Sequence, residues 1–433
     1  MGSELLFRGA RIVDPASERD AIGDVRVRDG AIAEVDDRLD AGPAEVFDCD
    51  GLVVAPGLVD LHTHLREPGA EHKETIETGT RAAAVGGYTA VAPMANTEPV
   101  ADDASVIAEV VSAAGKARLA DVFPAGAVTK GLEGESLAEI GEMVDAGVRI
   151  FSDDGRCVPT ARTIRNALTY ARAFDDVTIA EHCEDVSLSI GHQMHEGLTS
   201  ASLGLAGQPG AAEHAIVYRD LEIARLTGGR LHLCHLSSAR SVELVRQARS
   251  DGVRVTAEVT PHHLILTDED LAGYDTNRKV NPPLRSAEDR AALRVGLADG
   301  TIDAIATDHA PHAVEEKDAE FDRAPFGTIG LETALAVVLT ELVEPGMITL
   351  PRAIEAMSTT PARILGARAH GGPIEPGRPA NLVVFDPAER WTVEAPFASR
   401  SRNSAFLGRE VRGRVRYTVL HGELTVAEGK ATR

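Results

Sequence analysis

His62-Thr63-His64 is the first grouping in this chain whose types and spacing suit chemistry. On a strand, residues i and i+2 face the same side, so the two imidazoles would point together. Further on, Asp153-Asp154, His182, His235 and Asp308 each close a short run, namely RIFSDDG, VTIAEHCED, RLHLCHLSS and IDAIATDHAPH. Converging histidines and aspartates form an N/O donor set for one or two divalent transition ions, zinc first among them. Two metals sharing a water need a bridging anion, which Asp153 or Asp154 can supply. A carboxylated lysine is the less favoured alternative, since that strand has no lysine and the nearest is Lys130. Taken singly, a His-x-His pair can be structural and an Asp at a strand end is more often a helix N-cap. The repetition at successive strand ends is what points to a metal.

Such residues need a scaffold that brings distant strand ends to one place. From 57 to 366, eight short β-branched runs alternate with longer segments of helical apolar spacing, several closed by Gly. That alternation predicts an α/β fold, a (β/α)8 TIM-like barrel, whose chemistry sits at the C-terminal strand ends. The segments 1–56 and 367–433 are instead β-rich. They are expected to pair in one small β-sandwich domain, with hairpins at Asp29-Gly30 and Asp50-Gly51. By strand alternation, Cys183 and Cys234 turn away from the metals and His232 faces opposite to His235. His192 and His309 receive no ligand role.

The 433 residues hold 67 acidic and 44 basic side chains, a net charge of −23, with 43 % hydrophobic residues. This is a folding globular composition. The acidic balance excludes nucleic acid and an anionic membrane surface as partners. Four scattered cysteines read as reduced thiols. With no apolar run of membrane-spanning length and no secretory leader, a soluble cytoplasmic protein is expected.

The motifs PGLVDLHTHLREPG, MANTEP, AEHCED, LHLCHLSS, VNPPLR, ATDHAPH, PFGTIGLET and STTPARILG occur in order from Pro56 onward. Together they resemble the long (type I) dihydroorotases of the cyclic amidohydrolase superfamily, nearly end to end. The resemblance implies reversible hydrolysis of (S)-dihydroorotate to N-carbamoyl-L-aspartate in pyrimidine (UMP) biosynthesis, with two zinc ions per subunit. It implies His62 and His64 on one metal, His182 and His235 on the other, Asp154 as bridge with Asp153 the runner-up, and Asp308 as ligand and acid/base. Arg66, Asn96 and His312 would meet the substrate carboxylate, and Asn281 with the Phe326-Gly327 backbone the ring. It also implies a homodimer and association with aspartate transcarbamoylase. The alternatives are another cyclic amidase (hydantoinase, dihydropyrimidinase or allantoinase) or a non-catalytic dihydroorotase-like scaffold. Those amidases generally carry a lysine bridge and need no Arg66. The charged loop 313–325 follows His312 and could cover the site.

The substrate is itself an anion, so the site must reverse the global sign with two dications, Arg66 and, when protonated, His312. The global charge then belongs to the solvent. At about 1 M salt the Debye length is roughly 3 Å, and repulsion among surface carboxylates is screened. With 6 lysines against 38 arginines, the expectation is a halophilic enzyme.

Overall fold

The computed structural model describes residues 4–433. At the N-terminus lie β1 (Leu5–Asp14), β2 (Arg19–Arg28), β3 (Ala31–Asp36), β4 (Glu45–Asp48) and β5 (Val53–Pro56). The barrel then begins with β6 (Leu58–Thr63), β7 (Tyr88–Pro93), β8 (Asp121–Val122), β9 (Ile150–Phe151) and β10 (Thr178–Glu181). A two-residue ladder, β11 (Met194–His195) with β12 (Gly207–Gln208), forms an excursion above it. The barrel resumes with β13 (Leu231–Leu233), β14 (Val255–Val259) and β15 (Ala304–Ile305). The chain ends in β16 (Leu382–Thr392), β17 (Glu410–Leu420), β18 (Glu423–Ala427) and β19 (Lys430–Ala431).

The eight barrel strands are parallel in two arcs, β6-β7-β8 and β9-β10-β13-β14-β15. Single parallel bridges close the ring, Gly126 to Phe151 and Thr63 to His309. The expected (β/α)8 barrel is therefore present. Its helices follow local rules: the Thr160 hydroxyl caps the helix Ala161–Ala171 by accepting from Thr163 N (3.1 Å), and Gly228 ends the helix Ala211–Thr227 at φ +69. A cap of the first kind is worth about 1 kcal/mol.

The terminal segments do pair, but not as two separate sheets. Nine strands form one sheet, eight of them along the path β19-β18-β17-β16-β5-β1-β2-β3, with β4 also on β1. The sheet folds over its own apolar core. Phe47 on β4 lies 5.0 Å from Tyr417 on β17 and 5.2 Å from Phe7. Asp29-Gly30 makes the expected hairpin, with φ +51 and +82, the conformation a two-residue I′ turn demands. Asp50-Gly51 does not. β4 and β5 run parallel to β1 and lie end to end along it, so this pair makes a jog and not a hairpin. Between β16 and β17 the chain leaves the sheet, and Ser399, Ser401 and Asn403 hydrogen-bond to barrel loops.

Candidate metal centre and active site

The C-terminal strand ends bring His62, His64, Asp154, His182, His235 and Asp308 together, all buried. Asp154 sits at the centre. Its Oδ2 faces His62 Nε2 (3.1 Å) and His64 Nε2 (3.5 Å). Its Oδ1 faces His235 Nε2 (3.1 Å) and His182 Nδ1 (3.4 Å). One carboxylate is thus shared by two histidine pairs, the arrangement a bridging ligand needs. Asp308 Oδ1 lies 3.1 Å from His64 Nε2 and 3.8 Å from His62 Nε2. Burial alone would raise the Asp154 carboxyl. The surrounding His62, His182 and His235 outweigh it and hold the group well below the usual carboxylate range. Asp308 is lowered the same way, against burial, chiefly by His64 and His62.

Asp153 points elsewhere. It accepts from Val128 N (2.8 Å), Thr129 N (2.9 Å) and the Thr129 hydroxyl, pinning the loop after β8. Lys130 is exposed and paired with Glu139 (2.7 Å), away from the histidines. The donor set fits zinc: four buried imidazoles and two carboxylates, with His62, His64 and Asp154 forming one group of converging ligand atoms and Asp154, His182 and His235 another.

Arg66, His235 and Asp308 all adopt positive φ (+62, +30 and +46). Each such non-Gly residue costs about 1–3 kcal/mol and persists only where its surroundings impose it. The turn at His235 also breaks strand alternation. Cys234 therefore does not turn away: its Sγ, a His62 nitrogen and a Glu258 oxygen lie within 4.8 Å of one another. Burial pushes its thiol above the ordinary range, so it stays protonated.

Several supporting residues have no sequence signature. Glu258 on β14 holds His62 Nδ1 (2.9 Å) with one oxygen and faces His232 Nε2 (3.1 Å) with the other. His232 thus backs the donor set through Glu258. Glu184 contacts His182 Nε2 (2.8 Å) and accepts from Asn281 Nδ2 (2.7 Å), while Asn281 Oδ1 meets His192 (3.2 Å). Asn96 Oδ1 holds His64 Nδ1 (3.0 Å). These outer contacts fix ring orientation and tautomer. Of these, the sequence named Asn96 and Asn281, as substrate contacts, and gave Glu184, Glu258 and His232 no site role.

A cavity of about 340 Å³ opens over the cluster. Arg66, Asn96, Asn281, His312, Phe326 and Gly327 line it, with His64, Asp154, His182, His235 and Asp308. Arg66 Nε donates to Pro311 O (3.2 Å). Its two terminal nitrogens have no protein acceptor among the described residues, so the planar fork is free for a carboxylate. His312 donates from Nε2 to Phe326 O (2.8 Å). Burial, with Arg66 and Lys317 nearby, lowers it to about 3. It is neutral, and the protein's own cation at the cavity is Arg66.

A model of the dihydro-orotase-like family matches residues 51–241. A dihydroorotase of Pelotomaculum thermopropionicum is 51 % identical over 98 % of this chain and 99 % of its own length. The chain belongs to the dihydroorotase family. A dihydroorotase of Streptomyces coelicolor is 52 % identical over 99 % of this chain and all of its own. Among solved structures, L-hydantoinase from Arthrobacter aurescens superposes with a TM-score of 0.90, at 28 % identity, over 100 % of this chain and 98 % of that one.

Proposed function

We propose that this chain is a dihydroorotase, interconverting dihydroorotate and N-carbamoyl-L-aspartate in pyrimidine formation. The observation that carries this is Asp154 shared between two histidine pairs, with Asp308 and a free Arg66 fork at the same cavity. Full-length dihydroorotase relatives support the same reading.

His62 and His64 would hold one zinc, His182 and His235 the other, with Asp154 between them and Asp308 beside the first. Zinc supplies Lewis acidity and lowers the pKa of bound water to about 7. Arg66 grips the substrate carboxylate with two charge-assisted hydrogen bonds, helped by Asn96, while the one N–H of neutral His312 stays on Phe326 O. Asn281 and the Phe326-Gly327 backbone orient the ring so that its amide carbonyl faces Asp308. As water attacks that carbonyl, the Asp308 carboxylate takes the proton and passes it to the leaving ring nitrogen. The reverse sequence closes the ring.

Purified protein assayed with dihydroorotate, hydantoin, dihydrouracil and allantoin tests this reading. Dihydroorotate should be turned over fastest, and preference for any of the others would assign a different cyclic amidase. The L-hydantoinase likeness makes hydantoin the sharpest competitor.

Further proposals concern its setting. A cytoplasmic location is part of the proposal; among the described residues no helix is long and apolar enough to cross a membrane. A homodimer, which the family resemblance implies, is testable by light scattering. Association with aspartate transcarbamoylase is testable by co-sedimentation of the two purified proteins. The charge of −23 supports a halophilic enzyme. Its Tm should rise from dilute buffer to multimolar KCl, and equal values would remove that idea alone.

A further inference from the structure

Lys279 and Lys317 are two of only six lysines in the chain, and they are 2 % and 7 % exposed. A buried ammonium is costly unless acceptors surround it. Here most of those acceptors are backbone carbonyls. Lys279 Nζ donates to Phe321 O (2.6 Å) and Gln193 Oε1 (2.5 Å), and lies 5.2 and 4.8 Å from the Phe321 and Phe326 ring centres. Its own carbonyl accepts from Gly327 N (2.8 Å). Lys317 Nζ donates to Pro325 O and Thr276 O, both 2.8 Å. A compact ammonium with three donors suits such a point grip, where the planar fork of arginine would not.

The grip falls on the stretch that follows His312. Phe321 and Ala324 are buried, so the charged loop is anchored at these two side chains. Its last residue, Pro325, and the two that follow, Phe326 and Gly327, line the active-site cavity. Their placement is tight. Gly327 has φ +137, and a Cβ there would stand 2.8 Å from Ala310 O and 3.0 Å from His312 Nε2. The Phe326 ring stacks on His192 (centroids 4.9 Å apart), which in turn contacts Asn281. Holding the main chain of 321–327 therefore sets both the backbone and a side-chain contact on the ring side of the cavity. Burial lowers Lys279 to about 8, in keeping with a dry surround.

We propose that Lys279, seconded by Lys317, is a positioning residue for substrate recognition: it fixes the Phe326-Gly327 backbone where the substrate ring must meet it. The substrate side of this inference rests on the dihydroorotase reading; the anchoring of the segment does not.

The test compares zinc-loaded wild type with Lys279→Met, which keeps length and packing but removes the donors. Two readouts are taken. The first is kcat and KM for dihydroorotate. The second is the rate of tryptic cleavage after Arg323, whose side chain is 76 % exposed. Lys279→Met should raise KM about ten-fold with kcat within about three-fold, since binding geometry is lost and proton transfer is not. Cleavage should quicken about ten-fold, as local opening becomes easier. Unchanged KM with unchanged cleavage would overturn the proposal, as would a fall in kcat alone. If wild type turns over no dihydroorotate, the substrate reading fails, and the cleavage rates alone decide the anchoring. Should Lys279→Met not fold, Lys317→Met takes its place with the same expectations. Failure of both to fold would overturn positioning in favour of a purely structural role.

Discussion

Arg66→Met is the sharpest perturbation of the proposed substrate site. Arg66 follows His64 by two residues, sits at φ +62, and spends only its Nε on the protein, on Pro311 O at 3.2 Å. The two terminal nitrogens are left for the substrate carboxylate. A hydrogen bond to a charged group is worth about 1.5–3 kcal/mol, so losing a bidentate pair should cost about 3–5 kcal/mol. At about 1.4 kcal/mol per decade, kcat/KM for dihydroorotate should fall roughly 10²- to 10³-fold or somewhat more. Most of the loss should appear in KM. The substituted side chain is similar in length and apolar, and burial already disfavours the charge of Arg66. Tm and bound metal should therefore stay near wild type. The assay is loss of dihydroorotate absorbance under initial-rate conditions, alongside metal analysis of the same preparation. A loss below about five-fold, in protein that is folded and metal-replete, would refute the carboxylate grip.

Asp308→Asn should lower kcat by about 10²- to 10⁴-fold with Tm little changed, because the proton acceptor is gone; near wild-type kcat by the same assay would contradict its role. Asp153→Ala should cost about 1–3 kcal/mol of stability by chemical denaturation, since buried backbone donors at Val128 and Thr129 lose their acceptor. It should keep metal, and loss of the metal would return Asp153 to the ligand set. Asp121 joins the barrel floor to the terminal sheet, contacting His370 Nε2 (2.9 Å) and His421 Nε2 (2.8 Å). Against burial, these contacts hold its carboxyl below the ordinary value, so its contribution is present above about pH 4 and lost as pH falls. His421 is raised, chiefly by Asp121, so its share is present below about pH 6.5 and lost as pH rises through its folded value. The Tm deficit of Asp121→Asn should be largest near pH 5 and shrink on both sides, and a pH-independent deficit would contradict the clamp.

The sequence made part of this site legible for a physical reason. His62 and His64 share one strand, and a two-residue period orients them without any tertiary knowledge. The other donors were found because each ends a strand of a fold that gathers strand ends. What stayed hidden depends on pairings between strands or on local backbone. Glu258 and His232 act across neighbouring strands, and nothing in either run announces it. The positive φ at His235 broke the alternation that would have turned Cys234 away. Asp153 and Asp154 are adjacent and chemically identical, and only the path of the loop after β8 separates them. In the terminal domain, Asp-Gly reads as a hairpin signal, yet at Asp50-Gly51 both flanking strands had a better partner in β1. Lys279 and Lys317 resemble surface lysines until the backbone carbonyls around them are seen.

Zinc titration of chelated protein tests the central claim most directly. Bound metal and turnover of dihydroorotate are followed in one series, from metal-free chain to saturation. If Asp154 joins two metal positions, activity should climb to a plateau at about two zinc ions per chain. Full activity at one ion or none, or no turnover of dihydroorotate at any occupancy, would contradict the account.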